Sequence, residues 1–113
     1  MSASARVYKV CPRSDWDSAV AAGRHDGSAD DKRDGFIHLS TREQLAGTLA
    51  KHYRGVPDLV LVAFDAAALA PGLRWEPSRG GELFPHYYGA LPAALALDVV
   101  ALAPGPDGVP LLP

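Results

Sequence analysis

The sequence predicts an α+β domain whose strands run mostly antiparallel: about six strands with two helices, both early in the chain. Two observations carry this. Apolar residues at helical spacing occur twice, both in the first half, and short apolar runs bounded by Gly, Pro or polar turns recur from residue 6 to residue 102.

The elements follow in order. Residues 6–10 form a short strand, closed by Cys11 and Pro12. Ser14 caps the next segment with Asp17 three residues on, and Trp16, Ala19 and Val20 give residues 15–22 a helical face ended by Gly23. Residues 25–34 (HDGSADDKRD) are polar and turn-rich, an exposed loop. Residues 35–40 (GFIHLS) form a strand that runs into Thr41, whose Thr-x-x-Gln spacing to Gln44 makes a capping box. Leu45, Leu49 and Tyr53 are the apolar face of that second helix. Residues 59–64 (LVLVAF) have no polar side, which predicts a strand covered on both faces.

Beyond residue 65 come a turn and a short strand at residues 74–76. A loop at 77–81 leads to a strand at 82–88, and the final strand spans 95–102. Pro85 lacks a backbone donor and so belongs at an edge or bulge. Residues 1–102 read as one globular domain, and the proline-rich residues 103–113 as an extended tail.

Composition excludes several classes. The 113 residues carry 11 Lys plus Arg and 13 Asp plus Glu, a net charge of -2, so a strongly basic nucleic-acid-binding domain is not expected. The single cysteine, Cys11, leaves no intramolecular disulfide and no Cys-based zinc site. His25, His38, His52 and His86 show no metal-ligand spacing, so no metal is expected. The N-terminal residues lack a signal-peptide stretch and no run is long enough for a bilayer, which predicts a cytoplasmic protein without a membrane partner.

Residues 74–89 (RWEPSRGGELFPHYYG) hold the densest set of chemically useful side chains: two carboxylates, two guanidiniums, an imidazole, a Trp and two Tyr around Gly80 and Gly81. Arg with aromatic neighbours suits an anionic or aromatic ligand. The plainer reading is an edge hairpin with Glu76–Arg79 or Arg79–Glu82 surface pairs, each worth little. His38 points away from Ile37 and Leu39, and Ser40 shares its face. A buried histidine bonded to a backbone carbonyl would satisfy the same pattern. Trp75, Phe84 and Tyr87 could alternatively form a protein-binding patch. No phosphate-binding glycine loop or nucleophile elbow occurs.

Three segments together, V-Y-K-V, D-G-F-I-H-L-S-T and the residue 74–89 run, resemble the small bacterial family catalogued as domain of unknown function 952. The resemblance extends to about residue 102. It implies a split β structure similar to the ADP-ribosyltransferase group, whose active members hold NAD in a cleft. On that analogy GFIHLS matches the strand that packs beside nicotinamide, with His38 at the contacting ring and Ser40 at the small residue after it. GELFPHY is the nearest match to the strand bearing the catalytic carboxylate, implying Glu82, with Glu76 in reserve. The first-strand histidine of the active enzymes falls at Lys9, or at Tyr8 beside it. Lysine has donors and no acceptor, so it would hold a phosphate or carboxylate instead. Thr41, Arg79, His86 and Tyr88 complete the implied ligand-binding set, with NAD or another nucleotide-like anion as ligand. A non-catalytic binding module that has lost the transferase chemistry is the alternative.

Overall fold

The computed structural model describes residues 5–113; residues 1–4, part of the segment read above for a targeting signal, lie outside the described residues. Along the chain run β1 (Arg6–Pro12), α1 (Arg13–Ala22), β2 (Arg24–His25), α2 (Ala29–Asp34), β3 (Ile37–His38), α3 (Leu45–His52) and β4 (Leu59–Asp65). Then follow β5 (Leu73–Pro77), β6 (Leu83–Tyr87), β7 (Leu91–Pro92) and β8 (Asp98–Leu102), with short 3-10 turns between. No helix among the described residues is long and apolar enough to cross a membrane.

β4 is the spine. It pairs antiparallel with β1 from Arg6↔Asp65 to Pro12↔Leu59, and with β8 on its other side. Period-two alternation sends Val60, Val62 and Phe64 into one apolar layer and Leu59 and Leu61 into another, so both faces are covered as the unbroken LVLVAF run predicts. The first layer takes Val7 and Cys11 of β1, Trp16 and Ala19 of α1, and Ile37 and Leu39. Trp16 meets Phe64 edge-on at 6.2 Å between ring centroids. The second layer takes Val10, Leu45 and Leu49 of α3, and Leu102. Burial pushes the Cys11 thiol up to about 11 and leaves it unreactive.

A second sheet has the order β3-β6-β5, and among the described residues the Tyr8↔Ser40 bridge pairs its segment with the first. There the two backbones exchange bonds, Tyr8 N–H to Ser40 O at 2.8 Å and Ser40 N–H to Tyr8 O at 3.0 Å. β2 and β7 form a separate two-stranded ladder.

Several expectations are corrected. The polar segment 25–34 is not all loop: Ser28 and Asp31 form a reciprocal capping box, α2 follows, and Gly35 ends it at φ 85. The helices therefore number three among the described residues. α1 begins without Ser14 as its cap; Pro12 takes the N-cap place and no side chain bonds there. Pro85 sits in the central strand of its sheet, not at an edge. A residue in an antiparallel strand turns its N and O to the same side. Pro85 O accepts from Leu39 N–H at 3.0 Å, so its missing donor faces the short β3, where the ladder is already ending. The proline-rich segment turns back: Leu111 N–H bonds Ala103 O at 2.8 Å, and Val109 and Leu112 pack on the second apolar layer.

The two-layer packing makes a contrast measurable. Leu49→Ala removes a fully buried side chain and should cost about 2–5 kcal/mol in urea unfolding with the m-value unchanged. Val20→Ala, at a side chain 58 % exposed, should stay within about 0.5 kcal/mol of the parent.

Candidate functional site

Beside the Tyr8↔Ser40 seam opens a cavity of about 580 Å³. β1 brings Tyr8 and Lys9 to it, α2 brings Asp31 and Asp34, β3 brings His38, and Ser40 follows two residues on. α3 adds Thr48 and Lys51, and Arg79, Phe84 and His86 come from the β5–β6 hairpin and β6. The strand alternation is as the sequence indicates: Ile37 and Leu39 face the apolar layer, while His38 and Ser40 face the cavity.

Under His38 lies a buried ion pair. Lys9 Nζ donates to Asp31 Oδ2 at 2.8 Å and to His38 O at 3.2 Å, with the two side chains 4 % and 2 % exposed. Asp31 Oδ2 also accepts from Ser28 N–H at 2.8 Å, and Oδ1 from His38 N–H at 3.1 Å. Burial alone would raise the Asp31 carboxyl, but the His38 hydrogen bond and the Lys9 charge outweigh it and hold the group far below the usual carboxylate range. The ionised carboxylate only accepts, which assigns the proton on the contacting His38 nitrogen: Nδ1 donates to Asp31 Oδ1 at 2.7 Å. Nε2 then lies 3.0 Å from Asp34 Oδ2.

Arg79 supplies the cationic part of the wall. Its guanidinium carbon stands 4.8 Å from the Phe84 ring centroid, and its nitrogens reach Thr48 Oγ1 and Gln44 O, each at 3.5 Å. Thr48 Oγ1 is also 2.9 Å from Ser40 Oγ. Lys51 and His52 line the same cavity from the end of α3. Desolvation, then the charges of Lys51 and Arg79, lower the His52 pKa.

The remaining sequence-derived candidates lie as follows. His86 lines the cavity, stacks on Phe36 at 4.0 Å and lies 5.6 Å from the His38 ring. Its Nδ1 is 2.9 Å from Glu76 Oε1, and its Nε2 is buried with no hydrogen-bond partner among the described residues. Glu76 also accepts from Tyr88 OH at 2.8 Å, and these two bonds lower its pKa. Glu76, Tyr88, Glu82 and Thr41 are not among the residues lining the cavity. Glu82 Oε1 accepts from Gln44 Nε2 at 2.8 Å, while Thr41 and Gln44 exchange the two bonds of a capping box across the turn before α3, whose own N-cap position is Gln44 and not Thr41. Phe84 is buried and shares a face with Glu76, whereas Trp75 is exposed on the other, so the aromatic residues do not form one patch.

Sequence reasoning missed Asp31, Asp34 and Thr48. The Ser28-x-x-Asp31 spacing with Gly35 behind it was the available signal for the first two. Thr48 on the α3 surface carried none. No cluster of three His, Cys, Asp or Glu suited to a metal ion occurs among the described residues.

Together these features define a small α+β domain of antiparallel sheets, with a polar cavity beside the seam of the two three-stranded ones, walled by an ion-pair-supported histidine. The chain belongs to the family described as protein of unknown function DUF952, whose model matches residues 10–99. It is 48 % identical to protein CC0527 from Caulobacter crescentus, whose X-ray structure superposes with a TM-score of 0.92 over 95 % of this chain and 94 % of that one. The solution NMR structure of CC0527 matches with a TM-score of 0.85, at 48 % identity, over 95 % and 92 % of the two chains. No functionally curated protein matches the chain.

Removing the charge of Asp31 tests the support beneath His38. Asp31→Asn strands the Lys9 ammonium in the interior and should cost about 3–5 kcal/mol in urea. The Asp31 pKa is lower folded than unfolded, so its contribution is complete above the ordinary value of 3.8 and drains as pH falls below it. The variant's stability should accordingly fall less steeply than the parent's between about pH 4 and pH 2.

Proposed function

We propose that the cavity binds a nucleotide-like, phosphate-bearing small molecule of the NAD class, in a cleft akin to that of the ADP-ribosyltransferases. The observation that carries this reading is that one cavity of about 580 Å³ holds both the Arg79 guanidinium and the Asp31-fixed His38 ring. Guanidinium groups match phosphate oxygens, and flat rings take a heteroaromatic base or amide. The volume lies within the range of small-molecule sites. The position also suits the reading: in a split sheet the strands part where the bridge ends, and the cavity lies beside that parting. Lys9 contributes from behind, because its ammonium is already bonded to Asp31 and His38 O. The phosphate falls to Arg79 and Lys51.

Binding is favoured over transfer by the state of Glu82. A transferase needs a carboxylate at the sugar carbon where positive charge develops. Glu82 is exposed, held by Gln44 Nε2 and outside the cavity lining. The second reading, ADP-ribosyl transfer, would use the His38 imidazole that Asp31 fixes through Nδ1, once a ligand takes the place of Asp34 Oδ2, 3.0 Å from Nε2.

An amide NMR titration with NAD, ADP-ribose and nicotinamide tests both. Saturable shifts at His38, Ser40, Thr48 and Arg79 are expected with the two phosphate-bearing ligands. Silence at millimolar NAD and ADP-ribose overturns the proposal. Glu82→Gln should bind ADP-ribose as the parent does. Release of nicotinamide by the parent, lost in that variant, would establish the transferase reading instead.

A further inference from the structure

Gly47 is anomalous. It lies inside α3, where glycine costs stability relative to alanine, and its backbone is not left-handed, so the chain path does not require it. What a side chain would meet there is Arg79. A Cβ on Gly47 would stand 2.9 Å from Arg79 Nη2 and 3.4 Å from Cζ. The bare backbone therefore lets the guanidinium lie down on the helix, between Gly47 and the Phe84 ring.

Seated this way, Arg79 has no ion pair among the described residues, a state it shares with Arg42, Arg54 and Arg74, but it alone of these lines the cavity. Arg13, Arg24 and Arg33 each pair with an aspartate. Arg79 is half-buried, has no carboxylate within ion-pair distance among the described residues, and makes only two long bonds to neutral oxygens. A partly desolvated cation with neutral partners favours an incoming anion. Beside it, the Ser40–Thr48 hydroxyl couple uses one hydroxyl hydrogen internally and leaves the other for a further acceptor.

We infer that Gly47, Thr48 and Arg79 form a phosphate seat on α3, and that Gly47 is the positioning residue that makes it. The inference rests on the binding reading above and assigns the ligand's phosphate to one place in the cavity. Phosphate oxygens would accept from Arg79 and from whichever of the Ser40 and Thr48 hydroxyls does not donate to the other, and Gly47 acts only by leaving the guanidinium room.

Gly47→Ala separates this role from a structural one, because its two effects have opposite signs. Alanine should leave Tm unchanged or raise it, as a better helix former. The same change should weaken ADP-ribose binding about tenfold or more, the scale of one charge-assisted hydrogen bond. The companion measurement needs no variant: the Arg79 Nε–Hε resonance of the parent protein should shift saturably with inorganic phosphate and with ADP-ribose, and not with adenosine. Equal affinity in Gly47→Ala overturns the inference, as does an Arg79 resonance that stays still while His38 and Ser40 respond to ADP-ribose. In both cases binding survives, so the general reading stands. If the parent binds neither phosphate nor ADP-ribose, both fall together.

Discussion

The Asp31 carboxylate joins three parts of the chain at one point. Its two oxygens accept four hydrogen bonds, from Lys9 Nζ, Ser28 N–H, His38 N–H and His38 Nδ1, which fills the acceptor capacity of an ionised carboxyl. One side chain thus ties the first strand, the N-terminus of α2 and β3 to a common point. Two charges removed from water are stable only when such bonding is complete; a half-satisfied version would cost several kcal/mol. Well-packed apolar residues could fill the same space with equal stability. They would not fix the imidazole of His38 beside the cavity, and that is where the ion pair and the candidate site become one structure.

Legibility in the sequence follows the range of the interaction. Alternation within one strand separated Ile37 and Leu39 from His38 and Ser40, because the pleat alone decides it. The unbroken apolar run of β4 declared two covered faces, and the Thr41–Gln44 spacing declared a cap; both are local. Asp31 was not legible as a buried group. A run such as HDGSADDKRD reads as solvated, and burial of its third carboxylate, Asp31, rests on a lysine 22 residues earlier and on His38. Lys9 was misjudged for the same reason, as an ammonium open to a ligand when it already has a carboxylate. Pro85 in a central strand depended on β3 ending beside it, a property of a different segment.

The carboxylates of the β5–β6 hairpin show the limit of motif matching. Glu76 and Glu82 fit a pattern by residue type, yet each is held by a neighbour whose contact the pattern does not reveal. Glu76 accepts from Tyr88 and contacts His86, while Glu82 accepts from Gln44, the residue that also caps α3. A match supplies the chemistry a side chain could perform; its partners determine what it is free to do. Here the groups that reach the cavity from that hairpin are instead Arg79, Phe84 and His86.

Gly47 extends that argument to a residue without a side chain. Most glycines here, such as Gly23 and Gly35, occupy the left-handed region and are explained by the turn each one makes. Gly47 has an ordinary helical backbone, so its conformation explains nothing and its surroundings must. A sequence usually agrees with its own fold at every level, and a residue that violates local preference marks a constraint imposed from elsewhere. The constraint at Gly47 is a guanidinium from a hairpin 32 residues away in sequence, at positions 47 and 79. The helix gives up some stability at that point, and the cavity wall gains an arginine 4.8 Å from an aromatic ring centroid with its charge unanswered by any carboxylate among the described residues.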